Sequence, residues 1–72
     1  MKSAADISIR HLIDAGWKED HTALVSQYRT AGTISTMRSH DGYDYCRVHH
    51  GRVKSKGRYQ VTTVMRRSVD AA

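Results

Sequence analysis

Six side chains able to bind a metal or carry a proton fall between positions 40 and 50: His40, Asp41, Asp44, Cys46, His49 and His50. The fragment Cys46-x-x-His49 has the spacing of half a zinc site, and His40 could supply a third ligand. A structural zinc centre, however, takes paired Cys and His sets whose turns converge on one point. Here Cys46 and His49 would alternate onto opposite faces of one strand, so no metal site is assigned. His49 and His50 are expected beside a hairpin turn in solvent, gaining charge below about pH 6.5. Cys46 has no identifiable base beside it and reads as a small hydrophobe rather than a nucleophile. No catalytic residue and no cofactor is expected, and the chain is read as a non-enzyme.

A second chemistry is electrostatic. Lys2, Arg10, Lys18 and Arg29 balance Asp6, Asp14, Glu19 and Asp20 in residues 1–36. Residues 37–72 carry Arg38, Arg47, Arg52, Lys54, Lys56, Arg58, Arg66 and Arg67 against Asp41, Asp44 and Asp70, and so hold the whole net charge of +5. From Arg47 to Arg58 there is no acidic residue. Such polarity is the footprint of a polyanion binder, because each cation near a phosphate releases condensed counterions. Tyr43, Tyr45 and Tyr59 lie in the same half. They could stack on bases, as strand aromatics do in RNA binders, or pack across strands.

These residues need elements to position them. With 72 residues, 39% of them hydrophobic, the chain has material for one core and is read as one domain, 1–72. No apolar stretch approaches the roughly 20 residues of a membrane span. Asp6 and Arg10 interrupt any signal-peptide core. A lone cysteine makes no internal disulfide, so a cytoplasmic protein is expected. Ser3 or Asp6 can cap a first helix that shows Ile9, Leu12 and Ile13 on one face and stops at Gly16, with Trp17 plugging the core beside it. Lys18–Arg29 reads as a second helix, from Leu24, Val25 and Tyr28 and the acidic start at Glu19-Asp20.

Residues 33–40 admit two readings. Thr33 as N-cap, Ile34 and Met37 three apart and Gly42 as stop suit a short helix, which is preferred. The β-branched Thr-Ile-Ser-Thr run also suits a strand turning at His40-Asp41-Gly42. Tyr43–His49 and Tyr59–Met65 alternate as strands around a cationic tip from His50 to Arg58, and residues 68–72 are expected to fray.

Helices followed by one hairpin with a basic tip form the layout of a winged helix-turn-helix domain. The stretch Ile34-Ser35-Thr36-Met37-Arg38-Ser39-His40-Asp41-Gly42-Tyr43-Asp44-Tyr45 resembles the junction of recognition helix and wing in small phage and prophage winged-helix proteins. In that family an I-x-x-L-R segment ends the helix and a G-Y-x-I segment opens the wing. Gly16-Trp17 followed by Ala23-Leu24 is similar to the end of its first helix and to its second helix, and the likeness spans residues 9–65. The family carries Arg or Lys early in the recognition helix, where this chain has Thr30, Thr33 and Ser35.

The resemblance implies an α+β fold, a small winged helix-turn-helix with two to three N-terminal helices followed by an antiparallel β-hairpin wing. It implies sequence-specific binding of double-stranded DNA by a transcriptional regulator or an excision-type architectural factor. Arg29, Thr30, Thr33, Ser35, Thr36 and Arg38 would then meet the major groove, and Arg47, Arg52, Lys54, Lys56 and Arg58 of the wing would hold phosphates. A domain this small would act as a homodimer or as copies side by side. Two alternatives remain: a phage-type inhibitor or adaptor that binds a host nucleic-acid machine, in the manner of an anti-CRISPR protein, or an RNA-binding module. Both gain if residues 33–38 form a strand.

Overall fold

Ser3 starts the first element. Its hydroxyl accepts the Asp6 N–H at 3.1 Å, and the Asp6 carboxylate accepts the Ser3 N–H at 3.4 Å, completing a capping box. Helix α1 (Ala4–Asp14) ends in a Schellman turn at Gly16, whose φ of +98° disfavours any side chain. The Gly16 N–H reaches the Ile13 carbonyl at 3.0 Å and the Trp17 N–H reaches that of Leu12 at 2.9 Å. The computed structural model describes residues 2–54 and 57–69.

The other elements are strands: β1 (Lys18–Val25), β2 (Ile34–Thr36), β3 (Tyr43–Lys54) and β4 (Tyr59–Ser68). They form one antiparallel sheet in the order β1-β4-β3-β2. β4 takes both edges of pairing at the centre, and every residue from Gln60 to Met65 is buried. Ala5 and Ile9 of α1 bury against Cys46, Val48 and Met65, with Leu12 and Trp17 closing the rim. Of these, Ile9, Val48 and Met65 are the large buried side chains, each worth about 1.5–3 kcal/mol.

The β3–β4 hairpin contains both expected strands, with β3 running on to Lys54. A bulge absorbs the extension: His49 pairs with Thr62 and Val53 with Gln60, so four steps along β3 match two along β4. The hairpin is not an appended wing. It is the middle of the sheet.

The winged helix-turn-helix expectation is therefore overturned. Lys18–Val25 is a strand because β4 supplies it with partners from Lys18↔Arg66 to Val25↔Gln60, which outweighs a weak helical stripe. Residues 33–40 contain no helix either. Ile34, Ser35 and Thr36 pair with Val48, Arg47 and Cys46, and the Met37 N–H continues the ladder to the Tyr45 carbonyl at 3.0 Å. The chain reverses at Asp41 (φ +50°) and Gly42 (φ +82°), with His40 and Tyr43 exchanging both backbone hydrogen bonds. Two successive positive φ values make the hairpin turn for which Asp-Gly is suited.

Without a recognition helix, its six expected residues scatter. Arg29 and Thr30 lie in the segment joining β1 to β2, Thr33 precedes β2, Ser35 and Thr36 lie on β2, and Arg38 follows it. Ile34, whose spacing from Met37 suits a helix, is 43% exposed on β2. Of the tail 68–72, Ser68 ends β4, and the Val69 N–H donates to the Gly42 carbonyl at 3.0 Å. Residues 70–72 lie outside the described residues. Among the described residues no helix is long and apolar enough to cross a membrane.

Candidate nucleic-acid interface

Alternation along the central hairpin sorts its side chains onto two faces. Cys46, Val48 and Met65 face α1. Tyr43, Tyr45, Arg47 and His49 of β3, with Gln60, Thr62, Val64 and Arg66 of β4, take the opposite face. The two ends of this second face differ in character.

One end is closed by a buried polar clamp. His49 Nδ1 lies 2.7 Å from Gln60 Oε1, and the same oxygen accepts the Arg29 N–H at 2.9 Å. Gln60 Nε2 donates in turn to the Arg29 carbonyl. An amide oxygen only accepts, so Nδ1 carries the proton in neutral His49. Nε2 is then an acceptor, filled by the Ser35 hydroxyl at 2.9 Å. His49 is 3% and Gln60 1% exposed, so the chain joining β1 to β2 is pinned where it crosses this end. The Gly32 N–H adds a bond to the His49 carbonyl at 2.7 Å, and the His49 N–H donates to the Thr33 carbonyl at 2.9 Å. The clamp corrects the expectation that His49 stands in solvent.

His50 is half-buried on the α1 side, with Nε2 2.7 Å from Thr63 Oγ1. Burial lowers its pKa, helped by the Arg52 cation and by His49 and opposed by Asp6 and Glu19. Burial likewise raises the Cys46 thiol, against a smaller lowering by Arg67, which keeps it protonated and inert. Cys46 and His49 do lie on opposite faces of β3, so their zinc-like spacing makes no ligand pair. Among the described residues no group of three His, Cys, Asp or Glu side chains could hold a metal ion.

The other end is open, aromatic and cationic. The Tyr43 and Tyr45 rings stand 6.4 Å apart between centroids, tilted at 52°. The Arg66 guanidinium lies 4.6 Å from the Tyr43 ring centre. Arg47, opposite Val64 in register, is half-buried, and its Nε is buried without a hydrogen-bond partner. Lys18 pairs with Arg66 across the sheet. On the α1 side of the same end, Arg67 lies 4.6 Å over Trp17. The neighbouring carboxylates are distant for charge-assisted hydrogen bonds: Asp20 is 3.8 Å from Arg66, and Asp44 is 3.7 Å from Arg67.

The five cations expected on a wing thus separate. Arg47 joins the aromatic end. Arg52 and Arg58 are exposed near the hairpin tip, Lys54 ends β3 opposite Tyr59, and Lys56 lies outside the described residues. At about 3.3 Å per residue the seven steps from Arg66 to Tyr59 put the tip about 23 Å away. Sequence reasoning missed Lys18, Arg66 and Arg67. The signal available was the Arg66-Arg67 pair directly after the alternating strand Tyr59–Met65, which puts one cation on each face.

Helix and sheet together define a small α+β domain, with one helix on one side of a four-stranded antiparallel sheet. No family model, no curated protein and no solved structure matches the chain.

Proposed function

We propose that the protein binds single-stranded nucleic acid, RNA foremost, on the sheet face turned away from α1. The observation that carries this reading is the grouping of Tyr43, Tyr45, Arg47 and Arg66 on that face. Unpaired bases stack on tyrosine rings and on guanidinium planes, at about 1–3 kcal/mol per base. Tyr45 offers a ring. Arg66 rests one plane on Tyr43 and remains 40% exposed, which leaves the other plane for a base. Arg47 and Lys18 supply charge for the backbone, and the tip cations Arg52 and Arg58 add an attraction that does not depend on sequence. A helix in the major groove has no support, since α1 spends its apolar stripe on the sheet and carries Asp6 and Asp14 beside Arg10.

Fluorescence anisotropy with single-stranded RNA, single-stranded DNA and duplex DNA at two salt concentrations tests the proposal. Single strands should bind more tightly than duplex. Tyr45→Ala should weaken that binding about tenfold or more, the equivalent of one lost stack. Duplex binding indifferent to Tyr45→Ala overturns the proposal. So does weak binding that every cation substitution lowers equally.

A further inference from the structure

The aromatic end of the face runs into a cleft. Gly16, Lys18, Tyr43, Arg66, Arg67 and Ser68 surround a volume of about 300 Å³, where β1 begins, β3 begins and β4 ends. We infer that this cleft takes the terminal phosphate of a bound strand. The inference rests on the single-strand reading above and adds to it a preference for one kind of strand end.

Three features support it. The first is charge. Lys18 and Arg66 line the cleft from the face turned away from α1, Arg67 borders it from the α1 side, and the carboxylates beside the two arginines, Asp20 and Asp44, stand off at 3.8 and 3.7 Å. The guanidinium N–H donors are therefore not consumed by tight ion pairs. An internal phosphodiester brings one negative charge. A terminal phosphomonoester brings about −1.5 to −2 at pH 7 and three strong acceptor oxygens.

The second is preorganisation. Each guanidinium lies on a ring, Arg66 on Tyr43 and Arg67 on Trp17, both at 4.6 Å. Stacking fixes the planes of the two donors, so little side-chain entropy remains to be lost when an anion arrives.

The third is position. Tyr43 is both the first residue of β3 and a wall of the cleft. A strand stacked along the face toward Tyr43 reaches the cleft as the sheet stops, so the group it delivers there is its end.

The test uses the full chain and four-nucleotide oligouridylates in three forms: 5′-phosphate, 3′-phosphate and hydroxyl at both ends. Wild type should prefer one phosphorylated form over the hydroxyl form by about tenfold or more, and the preferred end gives the polarity of the strand. In Lys18→Gln that preference should fall below about threefold, a ratio insensitive to any general loss of affinity. Equal affinity for all three forms, with Tyr45→Ala still weakening each, overturns the terminal-phosphate inference and leaves the stacking face standing. Failure of wild type to bind any form removes both.

Discussion

Gln60 Oε1 accepts two hydrogen bonds, one from His49 Nδ1–H at 2.7 Å and one from the Arg29 backbone N–H at 2.9 Å. A single amide on the central strand thereby joins β3 to the chain that crosses from one sheet edge to the other. Both side chains are buried, so water has no access to the bond between them.

Gln60→Leu keeps the volume and removes the clamp. It leaves the Arg29 N–H and carbonyl and the His49 Nδ1–H without partners. At about 1–3 kcal/mol for each stranded group that stays buried, a total loss of about 3 kcal/mol is expected from urea unfolding. A loss under about 1 kcal/mol would show that other contacts hold the crossing chain.

Gly51→Ala should cost more than Gly42→Ala. Both positions have positive φ, +70° and +82°, so both meet left-handed strain of about 1–2 kcal/mol. A Cβ on Gly42 meets nothing within 4 Å, whereas one on Gly51 would lie 2.8 Å from the Ala31 Cβ. Overpacking adds about 1–3 kcal/mol at Gly51, and Ala31→Gly in the same chain should recover part of it. Equal costs at the two glycines would mean that Ala31 gives way freely.

His50 predicts a pH dependence of definite sign. Its folded pKa lies below the ordinary value of 6.5, so the unfolded chain binds the proton more readily. The stability this represents is complete above about pH 6.5 and is lost as pH falls through the folded value. Chemical denaturation at pH 7.5 and 5.5 should show wild type losing more stability on acidification than His50→Gln. Parallel losses, or the reverse order, would refute the assignment.

Arg47→Met separates stability from binding. The substitution keeps an unbranched apolar stem beside Val64 and deletes a buried Nε that has no partner. Stability should hold or rise by up to about 1 kcal/mol, while affinity for single-stranded RNA falls about tenfold. A less stable protein with intact binding would contradict both halves of the prediction.

The sequence announced its local features well. Ser3 with Asp6, Gly16 after Asp14 and Asp41-Gly42 carry their reasons within four residues, and each forms the cap or turn its chemistry allows. The alternation of Tyr43–His49 and Tyr59–Met65 also survives folding. Lys18–Val25 was hidden because its partner lies about 40 positions away and its acidic start imitates a helix N-terminus. Ile34–Thr36 is too short for a period to show. The candidate site was half visible. Tyr43, Tyr45 and Arg47 stand out in one strand, but Lys18 and Arg66 meet them only through pairings that no local pattern encodes.

The central place of β4 governs how the protein can be made. It is the latest of the four strands in the chain, yet β1 pairs with nothing else in the sheet. A nascent polypeptide ending before Tyr59 offers β1 no neighbour and gives α1 no Met65 to rest upon. The apolar side chains that rest on β4 must wait, uncovered, until Tyr59–Ser68 leaves the ribosome. Assembly is then one concerted event, slow in the manner of distant pairings, and during synthesis the unfinished chain is open to chaperones and proteases.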